Sequence, residues 1–149
     1  MTKKNILALL VMAAFILIGS SAYAGEITGT WKNISDKGKN KGKAASIIKI
    51  YKYKGKYYGK IIKLLIDPSD SKCTACKGKN KNKLIEGMTF VWNLKRKGSN
   101  KFEGGKILDP GNGKVYGCEM KLLTQTKLQV RGYMGFSLFG RNQYWYRSK

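Results

Sequence analysis

Apolar and polar residues alternate with a period of two through most of the chain beyond residue 28. Tyr116, Cys118, Met120 and Leu122 share one face, and Glu119 and Lys121 the other. Leu128, Val130, Gly132 and Met134 alternate with Gln129, Arg131 and Tyr133, and Met88, Phe90, Trp92 and Leu94 form a third such row. This period describes strands with one wet and one buried side. Clusters of β-branched and aromatic residues between turn signals extend the reading to eight strands. They are predicted near residues 28–34, 46–54, 57–66, 87–95, 101–108, 114–123, 126–134 and 142–148.

The connections carry turn chemistry. Tyr53-Lys54-Gly55-Lys56 and Lys97-Gly98-Ser99-Asn100 read as tight hairpins. In Asp109-Pro110-Gly111-Asn112-Gly113 the proline presets φ and the glycines accept positive φ, and Leu123 to Thr126 closes another turn. Three connections are less regular. Ser35 to Lys43 reads as a flexible Lys/Gly/Asn loop, residues 67–83 as a second Lys-rich loop carrying Cys73 and Cys76, and Gly135 to Gly140 as a short irregular turn. No amphipathic helix, linker or internal repeat is apparent. Eight antiparallel strands in succession expose two sheet edges, and closing the sheet removes both. The expected fold is therefore all-β, a single-domain eight-stranded antiparallel up-and-down barrel over residues 25–149. Such a barrel is just wide enough to fill with side chains or to hold one small ligand. A sandwich would need longer Greek-key crossings.

Residues 1–24 break the pattern. Lys3 and Lys4 precede an apolar run from Ile6 to Ile18, and Ala22-Tyr23-Ala24 supplies a small-x-small site. The run is shorter than the roughly 20 residues that span a bilayer, so it reads as a signal peptide cleaved after Ala24. An exported protein, periplasmic or secreted, is expected, without a transmembrane segment once cleaved.

Charge adds a second possibility. The chain carries 30 Lys and Arg against 8 Asp and Glu, a formal +22. That excess attracts polyanions, and in an exported protein the candidates are lipopolysaccharide, acidic glycans or anionic lipid rather than nucleic acid. The interleaved Tyr51-Lys52-Tyr53-Lys54-Gly55-Lys56-Tyr57-Tyr58 is the stretch best suited to gripping them. The lysines are also spread over nearly every segment beside many Asn and Ile, which equally describes a solvated surface set by compositional bias. Catalytic equipment is sparse. There is no His, the carboxylates are scattered, and Ser137 lacks a nucleophile elbow. Asp109 reads as a turn residue, and Glu103 and Glu119 as solvated. We expect no enzyme and no cofactor.

The cysteines are Cys73, Cys76 and Cys118. Export favours a disulfide, and three thiols leave one over. Cys73-Thr-Ala-Cys76 has the spacing of a redox dithiol but lacks a βαβ context, and three thiolates without His leave a zinc site one ligand short. The preferred expectation is a long-range bridge from Cys73 or Cys76 to Cys118, closing a loop of about 40 residues.

Gly29-Thr30-Trp31 heads the first strand and is similar to the Gly-x-Trp signature of lipocalins and the wider calycins. In that group a basic residue of the last strand commonly packs across the Trp ring, a role that falls to Arg147, or second to Arg141. Further strings cover nearly the whole of residues 25–149: Tyr57-Tyr58-Gly59-Lys60-Ile61, Cys73-x-x-Cys76-Lys77-Gly78, Gly104-Gly105-Lys106-Ile107-Leu108-Asp109-Pro110, Gly113-Lys114-x-Tyr116-x-Cys118 and Arg131-Gly132-Tyr133-x-Gly135-Phe136-Ser137-Leu138-Phe139-Gly140-Arg141. In this order they resemble the secreted bacterial family called domain of unknown function 2147. The resemblance implies a lipocalin-like barrel outside the cytoplasm and no catalytic residues.

The function expected on these grounds is binding of a small apolar or amphipathic ligand in the barrel lumen. The candidate lumen residues are Trp31, Ile48, Ile50, Tyr58, Ile62, Phe90, Trp92, Tyr116, Met120, Leu128, Val130 and Trp145. Arg131, between apolar neighbours, would hold an anionic head group if it faced inward. Alternation instead sets it opposite Leu128 and Val130. The rival expectation is a basic surface that binds polyanions on the barrel exterior.

Overall fold

The computed structural model describes residues 25–149, so the signal-peptide reading of residues 1–24 lies outside the described residues. Eight strands follow in chain order: β1 (Gly29–Ile34), β2 (Ala44–Tyr53), β3 (Lys56–Leu64), β4 (Thr89–Arg96), β5 (Lys101–Asp109), β6 (Lys114–Thr124), β7 (Lys127–Tyr133) and β8 (Gly140–Arg147). Each pairs antiparallel with the next, and β1 pairs with β8, with Trp31 opposite Arg147 and Asn33 opposite Trp145. The sheet is a closed up-and-down barrel, which excludes the sandwich.

The β2–β3 hairpin turns on Lys54 and Gly55, both at positive φ (46° and 76°), the two-residue geometry whose twist matches the flanking strands. At the other end of the barrel the connections are longer and more structured than the sequence suggested. The β1–β2 loop holds a 3-10 turn, Gly38–Asn40, and closes through Ser35 N–H to the Lys43 carbonyl (2.9 Å) and Gly42 N–H to the Ser35 carbonyl (2.8 Å). The β3–β4 loop carries a second such turn, Gly78–Asn80, and an isolated bridge between Lys72 and Leu84.

The disulfide expectation is corrected here. Cys73 and Cys76 are bonded to each other, and Cys118 is a free, buried thiol. Cys118 points into the barrel from the middle of β6, opposite Gly105 and Gly132, whereas the other two cysteines lie in the β3–β4 loop. Their loop packs on the β5–β6 turn, with the Cys73 sulfur 3.4 Å from the Pro110 carbonyl oxygen. The C-x-x-C spacing permits this short local loop, and the inward position of Cys118 keeps it away from both other sulfurs.

Inward residues follow the predicted alternation on β2 and β6–β8. β3 and β4 depart from it. Tyr57, Gly59 and Ile61 face inward, paired across β2 and β4, so Tyr58 and Ile62 lie on the outer face instead of in the lumen. Both β3 faces are rich in tyrosine and isoleucine, so composition could not choose the register. Tyr58 stacks on Tyr51 (5.7 Å between centroids), meets Tyr53 edge-on (6.2 Å) and donates to Asn93 Oδ1 (3.3 Å). Tyr51, Tyr53 and Tyr58 of the basic-aromatic stretch are thus engaged with one another, and Tyr57 lies inside the barrel. On β4, irregular pairing with β3 buries both Phe90 and Val91, and Trp92 turns outward opposite Lys106, also against expectation.

Candidate functional site

The two ends of the barrel differ. At the end holding the start of β1, the interior is solid. Trp31, Ile48, Ile50, Tyr57, Phe102 and Met120 are buried to within 2% of complete. Tyr57 and Phe102 meet edge-to-face at 4.9 Å, and Phe90 stacks on Trp145 at 5.9 Å. The segment before β1 crosses this end as a plug. Its Ile27 is fully buried, and its carbonyl accepts the Trp31 indole N–H at 2.9 Å.

Arg147 seals the plug. Its guanidinium lies 4.3 Å from the Trp31 ring centroid and donates to the backbone carbonyls of Glu26 (2.8 Å), Thr28 (2.9 Å) and Gln125 (2.8 Å). Gly29, at φ 123°, leaves the space that Arg147 occupies, since a Cβ there would lie 2.8 Å from Nη1. The resemblance assigned Arg147 this place, and it occupies it. Arg141 sits instead at the opposite end, paired with Asp36 at 2.6 Å. Glu26 joins the same cluster. Burial alone would raise its pKa, but the Thr28 and Ile27 N–H groups, Arg96 and the Tyr57 hydroxyl outweigh that and hold it below the ordinary value of 4.5.

The opposite end is open. A cavity of about 860 Å³ enters the barrel there, within the range of small-molecule sites. Ile61, Leu64, Phe90, Ile107 and Val130 form its apolar wall, and Tyr116 stands near the mouth. Gly132 on β7 creates part of the space. A Cβ at that position would point at Ile107 Cγ2 (3.7 Å) and Tyr116 Cβ (3.8 Å). Polar side chains are at least as numerous as apolar ones along the lining. Asn33, Ser46 and Gln143 border the cavity. Asn33 Oδ1 and the indole nitrogen of Trp145, on directly paired residues, are buried side-chain polar atoms without a hydrogen-bond partner. A buried amide oxygen left unpaired costs free energy. The mouth is mixed in charge, with Lys37, Lys72 and Arg141 alongside Asp36, Asp67 and Asp109.

Of the candidates read from the sequence, Phe90, Tyr116 and Val130 line this cavity. Trp31, Ile48, Ile50, Met120, Leu128 and Trp145 face inward but are packed in the barrel interior outside its lining. Tyr58, Ile62 and Trp92 are on the outer surface of the wall. Arg131 is outside as well, donating to the carbonyls of Ser137 (2.6 Å) and Leu138 (3.0 Å) and to Asn142 Oδ1 (2.8 Å). It therefore holds the β7–β8 loop from outside the lumen. Glu119, read as solvated, accepts from the Ser137 hydroxyl at 2.6 Å in the same cluster. Asn33, Ser46 and Gln143 were missed because a polar residue inside a barrel breaks the apolar alternation only locally. Their strand parity with Trp31, Ile48 and Trp145 was the available signal.

Chemically the arrangement offers an apolar wall beneath a polar rim of mixed charge. No group of three or more His, Cys, Asp or Glu side chains is arranged to hold a metal among the described residues. Burial, helped by Glu119, pushes the Cys118 thiol far up, so it is held protonated and unreactive.

No curated protein matches the chain. A solved structure with a TM-score of 0.73 is protein HP1028 from the human pathogen Helicobacter pylori, described as belonging to the lipocalin family. It is 19% identical, and the likeness covers 84% of each chain, which establishes a shared fold. The profile of the uncharacterized proteins conserved in bacteria, DUF2147, matches residues 29–147. With the barrel, its plugged end and its Trp31–Arg147 contact in place, this chain belongs to the DUF2147 family and has a lipocalin-like fold.

Proposed function

We propose that the protein is an exported binding protein that holds one small apolar or amphipathic molecule in the open half of its barrel. The observation that carries this reading is the cavity of about 860 Å³ beneath the open end, walled by Ile61, Leu64, Phe90, Ile107 and Val130. An open cleft of this size with an apolar wall is large enough to take one small molecule. Its shape suits an apolar body that enters from the mouth. Export rests on the amino-terminal sequence.

Native mass spectrometry of protein purified from its own host, followed by solvent extraction, would identify the cargo. An in vitro counterpart uses the apolar fluorophore N-phenyl-1-naphthylamine. Gly132→Leu extends a side chain into the space beside Ile107 and Tyr116, and should weaken uptake of the probe about tenfold or more while the barrel stays folded. Host-purified protein that carries nothing, together with a Gly132→Leu variant that takes up the probe like the parent, would leave the reading without support.

A further inference from the structure

The β7–β8 connection presents Met134, Phe136, Leu138 and Phe139 to solvent with relative exposures of 62%, 75%, 80% and 71%. Four large apolar side chains within six residues are not what a solvated loop needs. Nor is the loop loosely held. Arg131 binds the carbonyls of Ser137 and Leu138, the Ser137 hydroxyl is bound by Glu119, and Phe139 N–H donates to the Phe136 carbonyl at 3.0 Å. Anchoring Ser137 toward the barrel wall leaves Phe136 and Leu138 on either side of it directed outward.

The up-and-down topology puts this loop at the open end, beside the β1–β2 and β3–β4 loops. Arg141, at the foot of the apolar loop, is paired with Asp36 of the β1–β2 loop. Those two neighbours are lysine-rich. Lys37, Lys39, Lys41 and Lys43 lie in one, and Lys72, Lys77, Lys79, Lys81 and Lys83 in the other, against Asp36, Asp67, Asp70 and Glu86. The short turns at the plugged end carry Lys54 and Lys97, and the strand ends beside them add Lys52, Lys56, Lys95, Arg96, Lys101 and Lys127, but without an exposed apolar loop among the described residues. The basic loops and the exposed apolar loop are therefore gathered at the same end, around the same mouth.

We infer that the open end is a docking face for an anionic lipid surface, with Phe136, Leu138 and Phe139 entering the interface and the flanking lysines meeting the head groups. The combination selects this partner. A dissolved polyanion would use the lysines and leave the apolar side chains in water. A lipid surface uses both, because apolar insertion and attraction to anionic lipid add. Docking in this orientation also brings the cavity mouth to the bilayer, although the inference stands whether or not the cavity is loaded.

The test is vesicle flotation with the protein as purified from its host, using vesicles of phosphatidylcholine alone or with about one third phosphatidylglycerol. The parent and a Phe136→Ser/Leu138→Ser/Phe139→Ser variant share the same amino terminus, so their difference reads the loop. The parent should favour the phosphatidylglycerol vesicles, and the triple variant should bind them at least about tenfold more weakly. Lys79→Glu/Lys81→Glu should weaken binding about tenfold and leave what remains less sensitive to salt. A Leu138→Trp variant, which alters one exposed position, should shift its emission to the blue when these vesicles are added. Failure of the parent to bind them, equal binding by the triple variant, or an unshifted Leu138→Trp spectrum would each overturn the inference.

Discussion

Replacing Arg147 with methionine tests whether the plugged end is held by one side chain. Methionine keeps most of the stem that lies along Trp31 and removes the guanidinium. Three charge-assisted hydrogen bonds are lost, to the carbonyls of Glu26, Thr28 and Gln125, together with the stacking on Trp31 at 4.3 Å. The bond to Thr28 is partly buried and is worth about 1.5–3 kcal/mol; the two exposed bonds are worth about 0.5 kcal/mol each, because water can replace the donor. The cation–π contact adds about 0.5–1 kcal/mol. The expected loss is therefore about 3–5 kcal/mol, a large share of the stability of a domain this size, and lowers Tm by roughly 10–20 °C. Urea unfolding followed by tryptophan emission measures it, since Trp31 and Trp145 are fully buried. Arg141→Met is the control. Arg141 makes one exposed ion pair, with Asp36, and its loss should cost less than about 1 kcal/mol. Arg147→Lys should recover less than half of the deficit, because a point charge cannot reach three carbonyls and lie flat on a ring. If Arg147→Met costs no more than Arg141→Met, the plug is held by apolar burial of Ile27 alone and the reasoning fails.

Thiol counting checks the cysteine assignment: alkylation of denatured, unreduced protein should label one cysteine, Cys118, and native protein none, whereas mapping a bridge to Cys118 would refute it. Acid should destabilise the protein through Glu26. Because its folded pKa is depressed, its contribution is complete above the unfolded value near 4.5 and is lost as pH falls through the folded one, so Glu26→Gln should flatten the stability profile on the acid side of 4.5. Gly113→Ala should cost about 1–3 kcal/mol in chemical denaturation, since Gly113 has φ 71° and a Cβ there would run into the Ala75 carbonyl, pushing the disulfide loop off the β5–β6 turn. An unaffected Gly113→Ala variant would mean that the loop rests elsewhere.

How far the sequence determined this protein differs from strand to strand. On β6 and β7 one face is apolar and the other polar, so Met120, Leu128 and Val130 could face only inward, and the eight strands with their turns already implied closure. On β3, Tyr57 and Tyr58 are equivalent by composition, as are Ile61 and Ile62, and pairing with Ile48 on one side and Val91 on the other decided between them. The cysteines were ambiguous for a related reason. Three thiols fit several pairings, and the inward placement of Cys118 beside Gly105 and Gly132 settled the matter. The cavity belongs wholly to tertiary structure. Its volume depends on where the side chains of eight strands stop filling the barrel, and a linear pattern of apolar residues carries no measure of the space left between them. The gathering of lysines and exposed Phe and Leu around one mouth likewise came from topology, because residues 37–43, 72–83 and 134–139 become neighbours only when the sheet closes.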